Sequence, residues 1–153
     1  MKVTLQVNGG QFTKYGKREI SKSMYFKGRD FIYAGLLLKK TKDQHGHVYL
    51  HLICQGLEII LKSKLLLKDY DKFKKDIKDK LGHDLLKIVD CWKYECNRNR
   101  IDKRFYEEIK QLSTFYKKHH LRYGNFTDIF FDPRQFRTVV TTKQLLRLIL
   151  TTD

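Results

Sequence analysis

Proline is almost missing from this chain: of 153 residues only Pro133 is one. Proline breaks helices and suits turns, so its scarcity excludes a loop-rich all-β fold and favours long helices. Cysteine is scarce as well. Cys54, Cys91 and Cys96 are an odd number without framework spacing, which excludes a disulfide scaffold and reads as reduced thiols. No long apolar run is present. The longest uninterrupted stretch of apolar residues and glycine, FIYAGLLL at residues 31–38, is too short to span a bilayer. The N-terminal MKVTLQVNGGQFTKYGKR lacks the apolar core of a signal peptide. These absences lead us to expect a cytoplasmic protein that does not enter membranes. Phosphate-loop, dinucleotide, serine-hydrolase and zincin motifs are also lacking, so NTP hydrolysis, dehydrogenase and zincin chemistry have no support. No internal repeat or low-complexity segment interrupts the chain.

Positive charge is what the chain has in excess. Lys and Arg number 32 and Asp and Glu 17, a formal net charge of +15. The excess is spread over the chain: residues 1–40 hold nine basic and two acidic residues, 41–100 hold thirteen and nine, and 101–153 hold ten and six. A folded body this basic attracts polyanions, with RNA or DNA first among them. A Lys-rich genome produces the same excess without any nucleic-acid role. Hydrophobic residues at 41% and aromatics at 13% exclude a disordered tail or a fibre and supply a core for one domain.

The pattern along the chain predicts helices. MKVTLQV alternates weakly, like a strand, until Gly9-Gly10, and residues 1–28 read as a basic N-terminal arm. A first helix is expected over 29–43, with Phe31, Ala34, Leu37 and Leu38 on its apolar side. Residues 47–68 form the strongest helix, apolar around most of its circumference as the central helix of a bundle should be. Asp69-Tyr70-Asp71 reads as a capped restart. A short basic helix then ends at Gly82, with a solvated lysine face. Amphipathic helices follow over 83–96 and 101–118, the second with Ile101, Phe105, Ile109, Leu112 and Phe115–Tyr116 on its apolar side. Residues 119–136 read as irregular, and Thr142 caps a last helix. The expected architecture is an all-α, up-and-down bundle of about five helices occupying residues 29–153.

Three features in order resemble a known family. GLEIILKSKLLL carries Glu58 and Lys62 at i, i+4; KLGHDLLKIV carries Gly82-His83-Asp84-Leu85; HHLRYGNF carries Arg122-Tyr123. This succession is similar to the HEPN family (higher eukaryotes and prokaryotes nucleotide-binding). The resemblance covers about residues 29–150. It implies an all-α bundle, often dimeric, related to metal-independent ribonucleases of toxin–antitoxin and phage-defence systems. The family's ribonuclease signature, Arg and four to six intervening residues before His, is absent, because no Arg here has His at those spacings. The chain therefore resembles the branch that binds nucleotides or RNA, or that pairs with a nucleotidyltransferase or an antitoxin.

Four constellations carry candidate chemistry. His47, His51, Gln55, Glu58 and Lys62 form a polar stripe on the central helix. It is either a solvated stripe or an intrahelical ion pair, or else a polar groove or dimer seam for a phosphate or base. His47, His51 and Cys54 have metal-compatible helical spacing but no completing ligand nearby, so no metal and no cofactor is expected. His83 and Asp84 either cap a helix start, or His83 serves as acid or base beside Arg122. Lys117, Lys118, His119, His120, Arg122 and Tyr123 join cations and an aromatic ring at a helix end, where Arg grips phosphate and Tyr stacks a base, or where both pack structurally.

The favoured expectation is a non-catalytic nucleic-acid- or nucleotide-binding module. The alternatives are a divergent metal-independent ribonuclease using His83 and Arg122, and a structural module whose basic surface meets an acidic protein partner.

Overall fold

A computed structural model describes residues 7–8, 11–41, 46–96, 101–118 and Arg147. Two short strands come first, β1 (Val7–Asn8) and β2 (Gln11–Phe12), paired antiparallel with Val7 opposite Phe12. Helices follow: α1 (Lys14–Leu38), α2 (Gly46–Lys68), α3 (Tyr70–Asp76), a π-helical turn over Ile77–Leu81, α4 (Leu85–Glu95) and α5 (Lys103–Lys117). The fold is an all-α bundle. Among the described residues no helix is long and apolar enough to cross a membrane.

The helix expected from residue 29 begins at Lys14, so half of the expected N-terminal arm is helical. Thr13 starts it, its hydroxyl accepting from the Gly16 N–H at 3.1 Å. The inward face also differs from the expected one. Ser21, Tyr25, Gly28, Ile32 and Gly35 are buried, whereas Ala34 and Leu37 are exposed and Phe31 and Leu38 only half-buried. The reason is a close backbone approach. A Cβ on Gly28 would lie 2.8 Å from the Gly56 carbonyl oxygen, and one on Gly56 would lie 2.6 Å from that of Gly28. Small residues, not large apolar ones, mark the packed face here.

α1 and α2 run antiparallel through this contact. Gly35 lies against Tyr49 and Ile53, Lys64 sits 5.7 Å from the Tyr25 ring, and Lys17 pairs with Asp71. The other side of α2 meets α3, α4 and α5, so this helix is central, as its composition predicts. Ile60, Leu61 and Leu65 have no exposed surface. Burying a side chain of this size is worth about 1.5–3 kcal/mol.

The expected restart after α2 is present: Asp69 caps α3, its side chain accepting from the Lys72 N–H at 3.0 Å. α4 buries Leu85, Ile88, Val89 and Trp92, and α5 buries Phe105, Ile109, Leu112 and Tyr116 at helical spacing. These two run antiparallel, since Tyr106 donates to Asp90 while Ser113 and Lys117 reach Asp84. The expected last helix from Thr142 lies outside the described residues, apart from a helical Arg147.

Candidate functional site

The polar stripe of α2 turns inward at its centre. Glu58 is 5% exposed and Lys62 7%, so these two are not a solvated stripe but the intrahelical ion pair that the spacing also allows. They are one helical turn apart, and the Lys62 ammonium donates to Glu58 Oε1 at 2.7 Å. An unpaired buried charge would be costly, and here each charge answers the other. Lys62 also donates to the Gly82 carbonyl. That carbonyl is delivered by the π-helical turn, whose last N–H, from Gly82, donates back to Ile77. Gly82 then adopts φ +51°, a left-handed conformation that favours glycine, although no atom crowds a Cβ there.

The turn places the next residue over the same carboxylate. His83 Nδ1 lies 3.1 Å from both Glu58 oxygens. Tyr116, buried on α5, donates its hydroxyl to Glu58 Oε2 at 2.7 Å. Burial pushes the Glu58 carboxyl up. Hydrogen bonds from Lys62, Tyr116 and His83, with the charge of Lys62, outweigh it and hold the group below its ordinary value. Glu58 is therefore a carboxylate, which only accepts, so His83 Nδ1 carries a proton and donates it. The ring itself is on the surface, its side chain 55% exposed. Tyr116 lies edge-on to His83 at 6.5 Å and 5.7 Å from the His51 ring.

Asp84 forms a second node beside the first. It caps α4 by accepting from the Lys87 N–H at 3.3 Å, as one reading of the sequence expects. The same carboxylate accepts from the Ser113 hydroxyl at 3.1 Å and from Lys117 at 3.0 Å. Burial raises its carboxyl, and the bonds from Lys117, the Lys87 N–H and Ser113 more than reverse this. Ser113 in turn accepts from the Leu86 N–H. The two nodes together tie α2, α4 and α5 into one end of the bundle.

Comparison with known proteins gives nothing. No family model, no curated protein and no solved structure matches the chain. The site must therefore be read from its own residues.

Glu58 and Lys62, one turn apart on α2, and His83, 25 residues beyond Glu58, form one hydrogen-bonded cluster. Lys117 stands next to it through Asp84, with its own side chain 58% exposed, and Lys118 is exposed at the helix end. His47, His51 and Gln55 are half-buried along α2. His119, His120, Arg122 and Tyr123 lie outside the described residues. His47, His51 and Cys54 do not form a metal cluster: among the described residues no group of His, Cys, Asp or Glu could hold a metal ion. Cys54 is core, and burial, aided by the Glu58 charge, pushes its thiol far above the ordinary value.

Two members of the cluster escape sequence reasoning. Tyr116 reads as part of the apolar face of α5, and its hydroxyl gives no periodic signal. Ser113 sits between Leu112 and Thr114 on the same helix without any motif around it. What the arrangement offers is a buried anion that fixes an imidazole at the surface, in a basic molecule. Such an imidazole can donate to a phosphate, and its second nitrogen can exchange a proton with a bound group.

Proposed function

We propose that the chain is a HEPN-like nucleic-acid- or nucleotide-binding module whose contact centre is His83, with Lys117, Lys118, His119, His120, Arg122 and Tyr123 extending the surface. The observation that carries this reading is the inside-out arrangement of the cluster: carboxylate, ammonium and phenol are buried, and the imidazole they orient is exposed. A histidine used only as a further donor to Glu58 has no need to present its ring to solvent. The net charge of +15 supplies long-range attraction for a polyanion.

The held imidazole also favours a second reading, metal-independent RNA cleavage. A carboxylate on Nδ1 sets the ring so that its other nitrogen can take the proton from a ribose 2′-hydroxyl. Arg122 would meet the developing phosphorane charge.

One gel experiment separates the readings. Labelled single-stranded RNA is mixed with the protein in EDTA at low and moderate salt, alongside His83→Ala and Lys117→Ala/Lys118→Ala. The binding module retards intact RNA, and its affinity falls with salt with a log–log slope of about −0.7 per phosphate neutralised. Both variants weaken that retardation. Cleavage that His83→Ala abolishes supports the second reading. RNA that is neither shifted nor cut rejects both and leaves the protein-partner reading.

A further inference from the structure

A second basic feature lies beyond the last turn of α2, where β2, α1, α2 and α3 meet. Here Lys14, Lys17, Arg18, Leu66, Leu67, Lys68, Tyr70 and Asp71 line an open cavity of about 660 Å³. That volume is in the range of small-molecule sites, roughly 300–1,000 Å³. One wall is apolar and aromatic, made by Leu66, Leu67 and Tyr70. Phe12 of β2 braces Tyr70 edge-on at 6.5 Å.

The charges in this cleft do not cancel. Among the described residues Asp71 is its one acidic group, and Lys17 engages both of its oxygens, at 2.6 and 2.7 Å. Lys14, Arg18 and Lys68 remain, and among the described residues none of the three forms an ion pair. Their placement works against the fold. Lys14 and Arg18 stand at i, i+4 on the first turns of α1, where like charges repel. That end of a helix also carries the positive pole of its dipole, yet the first turn of α1 holds no acidic residue. Three uncompensated cations facing one cavity in this way match a multiply charged anion, and the apolar wall leaves room for a group attached to it.

We propose that this cleft is a binding site for a phosphate chain, held by Lys14, Arg18 and Lys68, with Lys17 fixed by Asp71 as its floor. It is separate from the His83 cluster, shares no residue with it and does not depend on the reading given to that cluster. The chain comes either free, as an inorganic polyphosphate, or attached to a base, as in a nucleotide.

The test is calorimetric titration of the full chain in EDTA with tripolyphosphate and, in a parallel arm, with ATP. Lys14→Ala/Arg18→Ala/Lys68→Ala removes the site. Lys40→Ala/Lys103→Ala/Lys110→Ala removes the same charge from exposed positions elsewhere. We expect one tripolyphosphate per chain. Each lost charge-assisted bond weakens affinity strongly, so the first variant should bind at least about tenfold more weakly. The second should stay within about twofold, its effect limited to screened long-range attraction. Equal affinity for ATP assigns the phosphate chain alone as the ligand. Tighter ATP binding that Tyr70→Ala reduces to the tripolyphosphate level assigns a nucleotide. Absence of tripolyphosphate binding, or equal weakening in both triple variants, overturns the proposal, because the attraction would then be absent or a property of net charge.

Discussion

Glu58 holds three donors, from Lys62, His83 and Tyr116, and each bond contributes differently. Lys62 is the buried cation of the cluster, so its loss leaves a buried carboxylate without its charged partner inside the bundle. Lys62→Met should therefore cost about 3–5 kcal/mol in urea unfolding, the usual penalty for stranding one member of a buried pair. Glu58→Gln/Lys62→Met removes both charges and should recover most of that loss. A single-variant cost below 1 kcal/mol would mean the pair is hydrated. The carboxyl of Glu58 is held below its ordinary value, so its contribution is complete above about 4.5 and disappears as pH falls through the lower folded value. Glu108 on α5 has the opposite sign. Burial pushes its carboxyl up to about 7, the nearby Lys39 opposes this, and Asp102 adds to it. One of its oxygens, Oε2, is buried and has no hydrogen-bond partner among the described residues. The folded state then holds a proton that the unfolded chain releases near 4.5, so Glu108 costs stability as pH rises from about 4.5 to about 7. Glu108→Gln should raise the melting temperature at pH 8 relative to wild type and leave it nearly unchanged at pH 4. Equal effects at both pH values would contradict this assignment.

At the scale of elements, the contact of α1 with α2 rests on the absence of two side chains. A methyl on Gly56 meets the backbone of α1 at 2.6 Å, and a backbone cannot rotate away as a side chain can. Gly56→Ala gains about 1 kcal/mol of helix propensity. It should nevertheless destabilise the protein, because overpacking typically costs about 1–3 kcal/mol, and Gly28→Ala should do the same. Denaturant midpoints at or above wild type would show that the helices can separate without cost. The same contact explains what the sequence hides. α2 is legible because leucine and isoleucine surround it, and Asp69 and Asp84 are legible as caps because short acids precede helical runs. α1 is not legible before residue 29, since Gly16, Ser21 and Gly28 share its buried face with Tyr25 as the one large side chain and leave no apolar period. The apolar spacing of Phe31, Ala34 and Leu37 points to the outer side of the same helix. In the site, the i, i+4 spacing of Glu58 and Lys62 and the His83-Asp84 pair before α4 are legible as two separate candidates. The spacing does not announce that a π-helical turn carries His83 onto Glu58, nor that Tyr116 reaches in from α5.

At the scale of the molecule, the chain combines a largely apolar core with a strong excess of basic residues. The four ionic groups of the two nodes, Glu58, Lys62, Asp84 and Lys117, balance one another, so the +15 excess lies elsewhere on the chain. Attraction of a polyanion is thus a long-range, salt-screened effect, whereas the fixed imidazole is a short-range one. In the proposed function Glu58 fixes His83, and this ring contacts RNA. Nitrogen NMR of protein labelled with ¹⁵N in its histidines, recorded with and without single-stranded RNA at moderate salt, tests both halves together. His83 Nδ1 should be protonated in the free protein, and the His83 signals should move when RNA is added. A ring protonated on Nε2 alone, unchanged by RNA, would contradict the proposed function.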